Sequence, residues 1–112
     1  MRIEESFEMD KARMNEVGER EIISNLMSIG FTVKKNKTEE CDDIEIEAQK
    51  NYTKILINVR TVFDFDKKVE FSEEDKDKIR NRARLVGGIP YLAKVTVNNL
   101  YEKMRVDYYE IR

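Results

Sequence analysis

Asp43-Ile-Glu-Ile-Glu-Ala-Gln-Lys-Asn-Tyr-Thr-Lys-Ile-Leu-Ile-Asn-Val-Arg60 sets the architecture of this 112-residue chain. Its first third alternates: Asp43, Glu45 and Glu47 fall on one side, Ile44, Ile46 and Ala48 on the other. That period of two belongs to a strand that carries its acids on one face and its apolar residues on the other. Residues 49–51 supply a hairpin turn. Lys54 to Arg60 is β-branched and apolar on both sides, which predicts a central strand covered on both faces. Asn58 and Arg60 interrupt it, and being two apart they share a face. Two polar groups on one face of a buried strand are costly without partners.

Outward from this hairpin the elements are delimited by their ends. Towards the N-terminus, Val17, Ile22, Ile23, Leu26, Met27 and Ile29 recur at helical spacing and predict a helix over about Asn15–Ile29. Gly30-Phe31 stops it: glycine takes the left-handed cap and the apolar residue folds back onto the last turn. Phe31 to Lys35 alternates as a short strand, and a polar loop follows from Asn36 to Cys41. Residues 1–16 carry only Phe7, Met9 and Met14 as anchors and read as an arm or an extension of the helix, with the domain proper at 17–112. Towards the C-terminus, residues 64–70 form a charged connection, and Ser72-Glu-Glu-Asp75 opens a second helix as a capping sequence. That helix runs to about Val86, burying Ile79, Ala83, Val86 and Leu85, and Gly87-Gly88 ends it. Pro90–Val97 is a strand, Asn98-Asn99 a turn, and a last strand lies within 101–111. The fold class is α/β, in the order α-β-β-β-α-β-β.

Composition narrows the chemistry. There is no histidine, so no Ser-His-Asp or Cys-His nucleophile and no imidazole acid–base step can be assembled within one chain. A single cysteine, Cys41, excludes a multi-thiolate metal site. Chemistry would fall to carboxylates, lysine and arginine around a hard cation bound through oxygen. Lys and Arg total 21 against 23 Asp and Glu, a net charge of −2, so nucleic-acid affinity would have to come from local patches. No apolar run is long enough to span a membrane, and the first residues lack the apolar core of a secretory signal; the expected location is cytoplasmic.

Paired as a hairpin, the two central strands bring Asp43, Glu45 and Glu47 beside Asn58 and Arg60. The first helix, with Glu19 near its start, must pack on the same sheet. A helix glutamate, a strand acid and two polar neighbours make a candidate divalent-metal site. These residues resemble the archaeal Holliday junction resolvases of the PD-(D/E)XK nuclease superfamily. The likeness runs through Gly18-Glu-Arg-Glu-Ile-Ile, Ser28-Ile-Gly-Phe-Thr-Val, Asp43-Ile-Glu-Ile, Ile57-Asn-Val-Arg-Thr61 and Gly87-Gly-Ile-Pro-Tyr-Leu-Ala-Lys94, covering residues 17–97.

The resemblance implies a restriction endonuclease-like core: a mixed sheet of about five strands flanked by two main helices. It implies Mg²⁺ or Mn²⁺ as cofactor if the chain is active, branched or duplex DNA as partner, and a homodimer. It places the helix glutamate on Glu19. The strand acid is placed on Asp43, because the family has an aspartate followed by an apolar residue there, although keeping the spacing to the next motif would put it on Glu45. The metal ligands are then Glu19 and Asp43, with Glu45 as a substitute ligand. The family's acid-x-lysine reads Asn58-Val59-Arg60 here. Asparagine is a neutral ligand where an anion is expected, and arginine cannot take a lysine ammonium's compact place beside a nucleophilic water. The expected function is a nuclease-fold protein with an eroded metal site that binds nucleic acid or protein. The alternatives are an active Mg-dependent structure-selective endonuclease with a migrated ligand, and an acidic interaction module of a repair or restriction assembly. Catalytic positions are Glu19, Asp43, Asn58 and Arg60.

Simpler roles stand beside these. Asn58 and Arg60 fit a structural network, with Arg60 pairing across the hairpin to Asp43 or Glu45. Lys76, Lys78, Arg80, Arg82 and Arg84 follow what the helix macrodipole favours. Lys34, Lys35, Lys37, Lys67 and Lys68, with Arg60, are the candidates for tracking a phosphate backbone. Tyr91, Tyr101, Tyr108 and Tyr109 suit a core or dimer face better than base stacking.

Overall fold

The computed structural model of the chain describes residues 3–36, 44–66 and 70–111. Its elements are α1 (Ile3–Ser28), β1 (Thr32–Asn36), β2 (Ile44–Lys50), β3 (Thr53–Phe63), α2 (Glu73–Val86), β4 (Ile89–Val97) and β5 (Lys103–Glu110). The strands form one sheet in the order β1-β2-β3-β4-β5. β3 and β4 are parallel, and the other neighbours are antiparallel. The expected order of elements and the mixed five-stranded sheet are both present.

Local chemistry explains the ends. Gly30 adopts φ 97°, its N–H donates to the Met27 carbonyl at 3.1 Å and that of Phe31 to the Leu26 carbonyl at 3.0 Å. This is the Schellman stop, and Phe31 packs on the same cluster as Leu26. Ser72 accepts from the Asp75 N–H while the Asp75 carboxylate accepts from the Ser72 N–H, and Gly87 closes α2 at φ 71°. β2 and β3 are joined by Asn51-Tyr52, with Lys50 opposite Thr53 and Asn51 at φ 55°. Asparagine tolerates the left-handed region that a tight hairpin requires.

α1 begins at Ile3, so of the two readings of the N-terminal segment the helix extension holds. The stretch from Ile3 to Glu16 lacks an apolar stripe, but it has no glycine or proline and is built from strong helix formers. Leu85 does not join the core: it is 77% exposed, while Ile79 and Ala83 carry the buried face of α2.

The helices cover opposite faces of the sheet. Ile22 and Leu26 of α1 pack on Ile46, Ala48, Ile55, Ile57, Val59, Ala93, Val95 and Val97. Ile79 and Ala83 of α2 pack on Leu56, Leu92 and Ile111, a smaller cluster. α1 approaches β3 so closely at Gly18 that a Cβ there would lie 1.8 Å from Thr61 Oγ1. Glycine there leaves room for the Thr61 side chain and does not serve a turn.

Candidate functional site

Alternation along β2 and β3 decides which side chains can meet. Ile46, Ala48, Ile57 and Val59 lie in the α1 core, so the intervening Glu45, Glu47, Asn58 and Arg60 project towards α2. Glu45 is directly opposite Asn58 in the register. Of the two candidate strand acids, Glu45 faces Asn58, whereas the preferred Asp43 lies outside the described residues.

Glu45 is 4% exposed, the one charged residue among the buried positions described. Its carboxylate is enclosed by donors. Arg82 of α2 presents Nε to Oε1 and Nη2 to Oε2, both at 3.0 Å, a fork-on-fork pair. Asn36 Nδ2 at the end of β1 donates to Oε2 at 2.9 Å. Burial pushes the carboxyl up, but the Arg82 and Asn36 hydrogen bonds and the Arg82 charge outweigh it. The net effect holds Glu45 below its ordinary range.

Arg60 takes a different partner from the one expected across the hairpin. Its Nη2 lies 3.3 Å from Asp75 Oδ1, and its guanidinium sits 4.7 Å above the Phe71 ring. Asp75 thereby serves both as the capping acid of α2 and as the counter-ion of a β3 cation. Burial raises its carboxyl, whereas hydrogen bonds from the Ser72 backbone, Arg60 and the Ser72 hydroxyl, with the Arg60 charge, bring it below the usual range. Two ion pairs, Arg82–Glu45 and Arg60–Asp75, therefore tie α2 to the sheet. Between them Asn58 Oδ1 is buried without a hydrogen-bond partner.

Glu19 is committed elsewhere. Lys35 Nζ lies 2.9 Å from its Oε2. Lys35 is opposite Ile46 and so belongs to the α1 face of β1, while the next residue, Asn36, serves Glu45 on the α2 face. β1 thus gives Glu19 a cation from one face and Glu45 a neutral amide from the other, while the cation on Glu45 comes from α2. Among the described residues no three of Asp, Glu, Cys or His gather to hold a metal ion. With the Glu45 oxygens occupied by a guanidinium and a neutral amide opposite, these residues do not fit a divalent cation.

Of the candidate backbone-tracking bases, Lys34 is exposed on β1 and Lys35 is paired with Glu19. Lys37, Lys67 and Lys68 lie outside the described residues. Along α2, Lys76, Lys78 and Arg80 pair with Glu73, Glu74 and Asp77 within the helix, as the structural reading of that run expects. Arg82 is the exception. Sequence reasoning placed it with a solvated run, and nothing in its spacing pointed to an acid 37 residues away.

No family model and no curated protein matches the chain. Among solved structures it is similar to Hjc of Archaeoglobus fulgidus, described as a Holliday junction resolvase from an archaeal hyperthermophile. The TM-score is 0.62 at 15% identity, over 87% of this chain and 72% of that one. The likeness shows a resolvase-like, restriction endonuclease-like fold.

Proposed function

We propose that this chain is a resolvase-like nuclease-fold protein in which an arginine fills the cationic place beside the strand acid. It would bind nucleic acid or a protein partner without efficient cutting. The observation that carries this reading is the Arg82 fork on Glu45. A carboxylate already saturated by two guanidinium bonds and one amide bond has little left to offer a hard ion. The residues at the acid-x-lysine positions point the same way: Asn58 brings no charge, and Arg60 is spent on Asp75.

The test incubates the protein with a labelled four-way junction and with duplex, with and without Mn²⁺, and follows both mobility shift and cleavage. The expected result is a shift without cutting, unchanged by Mn²⁺. Cutting by the unmodified protein overturns the reading in favour of an active metal-dependent endonuclease. Absence of any shift at low salt moves the function to a protein partner. The variant Asn58→Glu, Arg60→Lys, Arg82→Gln reinstates an acid and a lysine and releases Glu45. Calorimetric titration with MnCl₂ should detect binding to this variant and none to the parent.

A further inference from the structure

A cavity of about 430 Å³ opens on the α2 side of the sheet, between β4, the end of β5 and the start of α2. Pockets that hold small molecules run from roughly 300 to 1,000 Å³. Alternation assigns its walls. Ala93, Val95 and Val106 belong to the α1 core, so Leu92 and Lys94 of β4 and Tyr109 of β5 turn to the other face. Leu92 and Ile111 are buried and make an apolar floor. Phe71 and Tyr109 stand beside it edge to face, with 6.4 Å between ring centroids. Tyr109 is 44% exposed, so its ring has surface left for a ligand to cover.

The charges around the cavity are not equally committed. Lys94 is half-buried and has no hydrogen bond or ion pair among the described residues. Asp107, opposite it in the register, is taken by Arg105 at 2.9 Å. Arg60, its neighbour on β3, is held by Asp75, and Lys76 on the α2 side of the cavity lies 3.2 Å from Glu73. Of the two acids at the margin, Glu70 is exposed and Glu110 has an interaction of its own. A half-buried ammonium without a counter-ion has given up hydration and received nothing in return. It is the one cation lining the cavity that an incoming anion can take without displacing an acid.

We propose that this cavity binds a small aromatic monocarboxylate. Its ring lies against Tyr109 and Phe71 over the floor of Leu92 and Ile111, and its carboxylate accepts from Lys94 Nζ. The assignment rests on the cavity alone and not on the nuclease-fold reading. The apolar floor and the two rings select a planar, apolar body. The single uncommitted ammonium selects the head group: one free cation matches one negative charge, and a lysine accepts a carboxylate as a compact point charge. A phosphate dianion would bring a second charge towards Glu70 with no cation free to meet it. A neutral arene would cover the floor and leave Lys94 without a partner.

The chain has no tryptophan, so the fluorescence of an indole probe reports binding without a tryptophan background. The test titrates indoleacetate with the full chain and, in parallel, indoleacetamide, its neutral counterpart. Indoleacetate should bind saturably, and the amide roughly 10- to 100-fold more weakly. Lys94→Gln should abolish that preference and Lys94→Arg should keep it. Tyr109→Ala should weaken acid and amide alike, by roughly 3- to 10-fold. Far-UV circular dichroism checks that each variant is folded. Should one fail, amide chemical-shift changes in the unmodified protein locate the site: changes at Leu92, Lys94 and Tyr109 support the cavity, and changes confined elsewhere overturn it. Absence of saturable binding overturns the proposal, as do equal affinities for acid and amide or a preference that survives Lys94→Gln. Tighter binding of indoxyl phosphate overturns the assignment of a singly charged head group.

Discussion

The two faces of the sheet are held by different physics. Under α1 the contact is dry and continuous, with Ile22 and Leu26 seated on eight buried aliphatic side chains of β2, β3 and β4. Under α2 a smaller apolar cluster is supplemented by Arg82–Glu45 and Arg60–Asp75. Apolar burial tolerates no relocation but needs no partner. An ion pair is net-stabilising only while both partners remain in place. The first face therefore sets how stable the protein is, and the second sets where α2 sits.

Truncation should separate the faces most clearly. Ile22→Ala, at a fully buried position, is expected to cost about 3–4 kcal/mol, and Ile79→Ala about 2–3 kcal/mol because the smaller cluster can partly collapse. Urea denaturation of both variants measures this, and a larger loss at Ile79 would invert the comparison. Gly18→Ala probes the closest approach on the α1 face and should cost about 2–3 kcal/mol through overpacking. Thr61→Ala in the same chain should recover most of that loss, since it removes the obstructing hydroxyl, which is itself buried and unpartnered. Additive losses in this double-mutant cycle would show that the two sites do not touch.

The α2 face should respond asymmetrically. Arg82→Met leaves the Glu45 carboxylate buried without its cation and is expected to cost about 2 kcal/mol. Glu45→Gln keeps an amide oxygen facing Arg82, whose side chain is 43% exposed and stays in reach of water, so a cost of about 1 kcal/mol is expected. Equal losses in thermal denaturation would mean that burial of the acid is not what distinguishes the partners. The smallest effect is in pH. Glu45 and Asp75 both have lowered folded-state values, so their contributions are complete above the ordinary carboxylate range and are lost as pH falls through those values. The variant Glu45→Gln, Asp75→Asn should lose stability less steeply on acidification than the parent, and an unchanged slope would remove these carboxyls from the acid response.

Legibility from sequence follows the same division. The Gly30 and Gly87 stops, the Ser72 cap and the alternation along β2 are encoded within a few residues, and each is present as expected. The sharing of a face by Glu45, Asn58 and Arg60 also follows from alternation. The partners of these residues were hidden. Arg82 and Asp75 sit in a helix whose charges suit a solvated surface, and only the seating of α2 over β3 and β4 turns two of them inward. The first turns of α1 were legible only as one of two readings, an arm or a helix extension, because they lack an apolar stripe while their residue types favour a helix.

The parallel ladder between β3 and β4 has a kinetic consequence. β2 and β3 meet across a two-residue turn, and their pairing closes a short loop. Ile55 cannot meet Ile89 until the whole intervening segment, α2 included, has been brought round. Loop-closure entropy places that step late, after the hairpin has formed. Mutations in β2 should therefore slow refolding, whereas mutations in β4 should mainly quicken unfolding.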